Sequence, residues 1–492
     1  MIDSNDLLDD EQMARFIAYG YVQLQTDFSE QFHQTVVRKM KQVYETEGNP
    51  GNNLVPRIPE VGQIFEHPVV KGALASVLGP DYVMHAHRHG HYNKPGTSDG
   101  GWHKDNYWGN EKTRNHVPWS AMIFYYPQDV TADMGPTDIM PGSQNRYNVD
   151  PRTEPTVPVV GKAGTFALIS YDIWHRATAN TSPNDRYMLK FLFFRTEAPK
   201  QPEWNNRRTK WQPPELKLPV KDNTPLWEYV WNWMSGTAGT PAARTEGAAG
   251  DAVAELGRTL IGDDENEALR AAYSLAAIGR EAIPALVKGL RHSAPGVVEP
   301  KTFSVPRLSA HGLAATGPQA IPALMEALDD EYEDRDVLGL IAYALGEMKE
   351  QAFRAVPRLI GLLQEPSPFI RQHVVEALGM IKQPALRIVP ALCDALSDPD
   401  PYVRFTAGLA LARIGPAARD AVPALLRALY EDVSASETFM PASPKADRGA
   451  RYVAAIAATA LQRIGTKDAL DALLLYLQSA RWCPVTTKAS TY

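Results

Sequence analysis

Gly101-Trp102-His103-Lys104-Asp105-Asn106-Tyr107-Trp108 is the stretch from which the N-terminal half of the chain is read. In an extended strand alternate side chains share a face, so the His103 imidazole and the Asp105 carboxylate point the same way. Two such donors can take adjacent positions on one octahedral metal ion. A His-x-Asp triplet alone is weak, because a chain with 12 histidines produces one readily by chance. Its place after a glycine-rich turn gives it weight, and a third ligand must then come from a distant strand. His175 answers that need, since it follows the strand-like run Gly164-Thr-Phe-Ala-Leu-Ile-Ser-Tyr171. Two histidines and a carboxylate on one face leave three positions open, as the non-haem iron oxygenases require for cosubstrate and oxygen.

The flanking sequence has the grammar of a β-domain. Trp119-Ser-Ala-Met-Ile-Phe-Tyr-Tyr126 and Tyr187-Met-Leu-Lys-Phe-Leu-Phe-Phe194 are strand-length, aromatic and bounded by turn residues. Many short strands of this kind predict a barrel or jelly roll. Residues 11–20 and 30–47 read as helices beside it. If the cosubstrate is 2-oxoglutarate, its remote carboxylate needs a bidentate cationic donor, which is the speciality of arginine. Arg186 opens the strand that a hairpin through Asn180-Thr-Ser-Pro-Asn184 would return beside His175. A surface ion pair is the plain alternative for that arginine.

These stretches carry a family resemblance. Phe16-Ile-Ala-Tyr-Gly20-Tyr-Val, Asn93-Lys-Pro-Gly96, Trp102 to Trp108, Asp133-Met-Gly135-Pro-Thr-Asp-Ile-Met-Pro141-Gly-Ser143, Lys162-Ala-Gly164 and Trp174-His175 to Arg186 stand in order across most of residues 10–196. In order and spacing they resemble the phytanoyl-CoA dioxygenase superfamily. The resemblance implies a double-stranded β-helix (a cupin-like jelly roll), Fe(II) at His103, Asp105 and His175, and 2-oxoglutarate anchored by Arg186. It also implies that His91 and Phe124 line the cosubstrate pocket. After the distal histidine the family often has a small or hydroxyl residue; here Arg176-Ala177-Thr178 follows, which leaves Thr178 as the candidate for a second cosubstrate contact. Gln144 stands where the family often has histidine, in a turn expected to be structural. Related halogenases replace the carboxylate by glycine or alanine, so Asp105 favours hydroxylation or another oxidation.

One motif opens a rival reading. His85, His87, His89 and His91 alternate along one strand, and such a ladder can chelate zinc. No acidic or cysteine companion has matching spacing, however. The other readings are that Arg88 and His89 line a substrate pocket facing the iron, or that the histidines simply pack and hydrogen-bond inside the barrel. Tyr107 and Trp108, beside the metal pair, read as pocket wall.

From about residue 250 the pattern changes to alanine and leucine at helical spacing. Ile283-Pro-Ala-Leu286 recurs at Ile321, Val356, Val389 and Val422, in steps of 38, 35, 33 and 33 residues. A second helix recurs between the tetrads, with Ser367-Pro368 and Asp400-Pro401 as start signals and glycines such as Gly379 and Gly415 as closures. This resembles HEAT-type repeats and predicts an α-solenoid. Trp227, Trp231 and Trp233 read as a short helix that clasps one domain to the other. The fold class is therefore α+β multidomain. The expected domains are residues 1–197, which the resemblance implies to be a dioxygenase domain, 198–249 a Trp/Pro-rich strap and linker, 250–480 an all-α HEAT-like solenoid and 481–492 a tail.

Composition limits the partners. The net charge of −7 offers no general attraction for nucleic acid. No run of about 18 apolar residues predicts a membrane span. Only Cys393 and Cys483 occur, the N-terminus lacks the pattern of a secretory signal, and a cytoplasmic protein is expected. The expected partners are a small-molecule substrate and O2, with protein or self-association through the helical array. The competing function is an interaction scaffold whose oxygenase-like domain is not catalytic.

Overall fold

The computed structural model describes residues 3–107, 112–215, 218–237, 249–292, 303–435 and 452–480. The chain divides into two compact units, one of residues 1–106 and 113–344, the other of residues 107–112 and 345–492. The division falls inside the helical array and not at its start.

In the first unit the strands are β1 (Tyr21–Gln25), β2 (Val83–Asn93), β3 (Ser120–Tyr125), β4 (Thr137–Ile139), β5 (Val157–Pro158), β6 (Thr165–Ser170), β7 (His175–Ala177) and β8 (Arg186–Phe194). They form a five-stranded sheet ordered β1-β6-β3-β8-β2 and a three-stranded sheet ordered β5-β4-β7. All pairings are antiparallel. The continuous apolar runs read from the sequence are β3 and β8, two of the inner strands. Every residue of β8 is buried, which suits a strand covered on both faces.

Helices cover the outer face of the larger sheet. Asp10–Tyr19 and Glu30–Glu47 match the two helices expected. The first starts in a capping box between Asp9 and Gln12 and ends at Gly20 with a left-handed φ of 77°. The second turns Val36, Met40 and Val43 inward, and Tyr44 donates to the Gly90 carbonyl of β2. Gly90 has no side chain for a reason: a Cβ there would lie 2.9 Å from the Tyr44 hydroxyl. Further helices lie at Leu54–Arg57, Glu60–Glu66 and Pro68–Leu78.

The Trp-rich segment is a helix, Thr224–Met234. Trp231 packs edge-on to Trp204 at 5.1 Å, and Trp233 to Trp119 at 5.4 Å. Its opposite side meets the helix Glu265–Ile278, with Tyr229 5.3 Å from Tyr273 and Asn223 bonded to Asn266 at 3.1 Å. The three indoles are buried, while Tyr229 and Asn223 make the contact with that helix.

Helical hairpins continue the first unit and make up most of the second. Four of the five tetrads begin a helix with proline in its first turn: Ile283–Leu290, Ile321–Ala327, Val356–Leu362 and Val422–Ala435. The fifth helix, Ala385–Ala395, starts a turn earlier and contains Pro390. Asp400 caps Pro401–Ile414 by accepting from the N–H groups of Tyr402 and Val403. Gly415 closes that helix with a φ of 66°, but Gly379 closes nothing. It lies inside Pro368–Ile381, where a Cβ would meet the Ala410 Cβ at 2.4 Å. Gly379 is therefore a close-packing residue between stacked helices. Of the 481–492 tail, nothing lies within the described residues. No helix among them is long and apolar enough to cross a membrane.

Candidate metal centre

Main-chain pairing brings the two histidines together. His103 N–H donates to the His175 carbonyl at 3.1 Å, and His175 N–H returns the bond at 3.0 Å. This bridge extends the smaller sheet by one residue and sets both imidazoles on one face, 4.5 Å apart between ring centres. The Nδ1 of His103 lies 2.9 Å from the Gly101 carbonyl, and that of His175 lies 3.1 Å from the Ile173 carbonyl. A carbonyl only accepts, so each Nδ1 carries the proton and each Nε2 keeps its lone pair for a metal. Asp105 completes the set, 4.0 Å from His103 Nε2 and 3.6 Å from His175 Nε2. The three ligand atoms lie within 4.8 Å of one another. Among the described residues no other group of three or more His, Cys, Asp or Glu could hold a metal ion, so the histidine ladder forms no second centre.

Charge suits that role. Burial pushes the His175 imidazole down to about 3, against the pull of Asp105, so it is neutral and can ligate. Burial alone would raise the Asp105 carboxyl, but the Lys190 ammonium paired with it outweighs that and holds it well below the usual carboxylate range.

Lys190 is the residue the sequence reading missed. It pairs with Asp105 Oδ2 and lies buried, 5.5 Å above the Phe124 ring. The registers explain its aim: Lys190 stands opposite His89 on one side and Phe124 on the other. Residues of that parity face the metal, so β8 contributes Arg186, Met188 and Lys190, while β2 contributes His89, His91 and Asn93. The ring of Phe124 lies 5.2 Å from that of His175. Arg88 has the other parity, opposite Phe191 and on the same face as Gly90, which the helices cover. It does not join the pocket.

Arg186 is buried and anchored. Its Nε and Nη2 donate to the Gly135 carbonyl at 2.9 and 2.6 Å, while its Nη1 is buried without a hydrogen-bond partner. His91 Nε2 is likewise buried and unsatisfied, and its imidazole is held neutral by burial and by Lys190. The buried Arg186 Nη1 is a donor without a partner, and it suits an anion that takes up its bond. Thr178 is occupied elsewhere, its hydroxyl donating to the Pro136 carbonyl at 2.8 Å. Tyr107 belongs to the other compact unit, where its ring stands edge-on to Tyr452 at 6.5 Å. Trp108 lies outside the described residues. Gln144 is structural, as expected, donating to the Ile17 carbonyl at 3.0 Å.

His103, Asp105 and His175 stand together as a candidate metal site, and Arg186 shares the parity of Lys190 on β8. Residues 15–188 match the family model of phytanoyl-CoA dioxygenase (PhyH). Beyond the PhyH segment, residues 321–388 and 356–437 match HEAT repeats, and residues 268–292 match the PBS lyase HEAT-like repeat. No curated protein matches the chain. Solved structures similar to part of the chain include a non-heme alpha ketoglutarate dependent carbocyclase from nogalamycin biosynthesis. That protein is 18% identical, covering 43% of this chain and 90% of its own, with a TM-score of 0.34. EctD from S. alaskensis, solved with 2-oxoglutarate and 5-hydroxyectoine, is 16% identical, covering 44% of this chain and 89% of its own, with a TM-score of 0.35.

Proposed function

We propose that the protein is an iron(II)- and 2-oxoglutarate-dependent dioxygenase that oxidises a C–H bond of a small molecule, by hydroxylation in the first instance. The observation that carries this reading is the grouping of His103, Asp105 and His175 within 4.8 Å. Arg186 supports it, buried with an unsatisfied Nη1 on the metal-facing side of β8. The two sheets are read as the halves of a double-stranded β-helix. Iron(II) and 2-oxoglutarate, when bound, supply the activation of dioxygen, with succinate and CO2 as coproducts.

The chain's own part is to bind and orient. His103, Asp105 and His175 would hold the metal through two neutral imidazoles and one carboxylate. Arg186 would clamp the remote carboxylate of the cosubstrate, already steered by the Gly135 carbonyl, and His91 would offer a further polar contact. Phe124 sets a buried apolar ring beside His175 and Lys190, and exclusion of water there would strengthen each ionic contact. Because Asp105 supplies a carboxylate ligand, oxidation is favoured over halogenation. His89 and Lys190 give the pocket a polar wall, which favours a substrate with a polar or anionic group.

The test is consumption of 2-oxoglutarate and formation of succinate with Fe(II), lost in His103→Ala. A folded protein that binds no iron and leaves 2-oxoglutarate intact across a broad substrate panel would overturn the proposal and leave the scaffold reading.

A further inference from the structure

The ligand hairpins rest on a loop that is held from behind by the helical array. Residues 143–148 follow the Pro141-Gly142-Ser143 turn. Ser143 Oγ accepts the Trp174 N–H at 3.0 Å, and the Trp174 indole N–H reaches the Arg146 carbonyl at 3.4 Å. Lys104 Nζ donates to the Gln144 carbonyl at 3.0 Å and lies 5.9 Å over the Tyr147 ring. Trp174 immediately precedes His175, and Lys104 sits between His103 and Asp105. One loop therefore supports the backbone on both sides of the metal centre.

What holds the loop comes from more than 100 residues further along the chain. Glu265, the first residue of the helix Glu265–Ile278, is buried, and its two carboxylate oxygens accept the N–H groups of Tyr147 and Asn148 at 2.5 and 2.8 Å. Arg307, from the helix Val305–Thr316, lies 5.2 Å over the Tyr147 ring. A second contact supports the same face independently. His116, on the segment leading into β3, bonds to the Tyr273 hydroxyl at 2.8 Å and stacks on His311 at 3.7 Å. All of these residues belong to the first compact unit.

We propose that Glu265 is a positioning residue of the metal centre, so that the first helical hairpins are a working part of the oxygenase and not an appended module. Two consecutive backbone N–H groups are an arrangement that one carboxylate satisfies and few other side chains can. By fixing Tyr147 and Asn148, Glu265 fixes Gln144 and Arg146. Through their carbonyls it holds Lys104 and Trp174, and with them the spacing of the three ligands. Loss of such outer supports typically costs about 10- to 100-fold in metal affinity where they touch a ligand directly. Because Glu265 acts through one further loop, the lower end, about tenfold, is expected.

This inference rests on the metal-centre reading, and the test separates the two. Co(II) is titrated into the full-length wild type, His103→Ala, Glu265→Gln and Glu265→Ala, reading both affinity and the visible ligand-field spectrum. Glu265→Gln keeps size and burial but turns an N–H donor against one of the two loop N–H groups. The expected result is several-fold weaker binding with an altered spectrum for Glu265→Gln, and about tenfold weaker binding for Glu265→Ala. A purely structural role would lower the melting temperature and leave the spectrum and affinity of the folded protein unchanged, which would overturn the proposal. If Glu265→Ala does not fold, Glu265→Gln decides alone: wild-type affinity and spectrum refute, weakened affinity supports. Wild-type Co(II) binding by His103→Ala would instead defeat the metal-centre reading itself.

Discussion

Replacing Arg186 by methionine removes the guanidinium and keeps most of the apolar stem. In the native chain Nε and Nη2 are committed to the Gly135 carbonyl, while Nη1 is buried and unsatisfied. A cosubstrate carboxylate at that position gains charge-assisted bonds worth about 1.5–3 kcal/mol each. Breaking a buried ion pair by removing one partner costs about 3–5 kcal/mol. At about 1.4 kcal/mol per factor of ten, Arg186→Met weakens 2-oxoglutarate binding by about 10²- to 10³-fold or somewhat more. Metal affinity should stay at the wild-type value, because Arg186 touches none of the three ligands. Arg186→Lys, with a point charge and no fork, should fall between. The assay is anaerobic calorimetric titration of 2-oxoglutarate into the metal-loaded protein, after thermal melting has shown that the variant is folded. A 2-oxoglutarate affinity equal to wild type in folded Arg186→Met would refute the assignment.

Three further outcomes follow from particular contacts. Gly135 has a φ of 71°, and a Cβ there would lie 2.3 Å from Asn93 Nδ2 and 2.7 Å from the Thr178 carbonyl. Gly135→Ala should therefore destabilise the protein by about 1–3 kcal/mol in urea unfolding and raise the KM for 2-oxoglutarate, since its carbonyl steers Arg186. Burial lowers the His116 imidazole from 6.5 to about 3, so the unfolded chain binds this proton first as pH falls. The stabilisation is whole above the unfolded value and drains away as pH drops from 6.5 towards 3, by about 1.4 kcal/mol per pH unit. His116→Gln should flatten the fall in urea stability between pH 7 and 5, and an unchanged slope would refute this. In the second unit, Gly379→Ala puts a Cβ against Ala410 and should cost about 1–3 kcal/mol by overpacking. A melting curve that does not move would show that the helices part easily.

The centre was legible because its geometry is local. His103 and Asp105 are two residues apart on extended backbone, and Arg186 opens an apolar run where a cation has no reason to be unless it is used. Lys190 carried the same signal, as the lone cation inside Tyr187–Phe194 and of one parity with Arg186, and it was passed over because the run already read as a strand. Arg88 was misplaced for the opposite reason. It stands one residue from both His87 and His89, so the alternation that turns His89 to the metal turns Arg88 to the other face, and grouping it with the ladder ignored that alternation. The tetrads revealed the repeats because proline marks a helix start chemically. Gly379 misled because closure and close packing both call for glycine, and only the neighbouring helix tells them apart. Glu265 was illegible: its partners are main-chain N–H groups 118 and 117 residues away, which leave no side-chain pattern.

The reciprocal main-chain bonds between His103 and His175 have a consequence for metal supply. On the proposed reading the ligands are held by sheet pairing, unlike small zinc domains that fold only around their metal. Chelation should therefore silence the protein without unfolding it. The same preformed seat has little means of rejecting cobalt, nickel or zinc, which bind nitrogen and oxygen donors more tightly than ferrous iron does. Iron occupancy would then be decided by which ions the cell leaves free, and protein purified without added iron should carry a foreign metal in an intact fold.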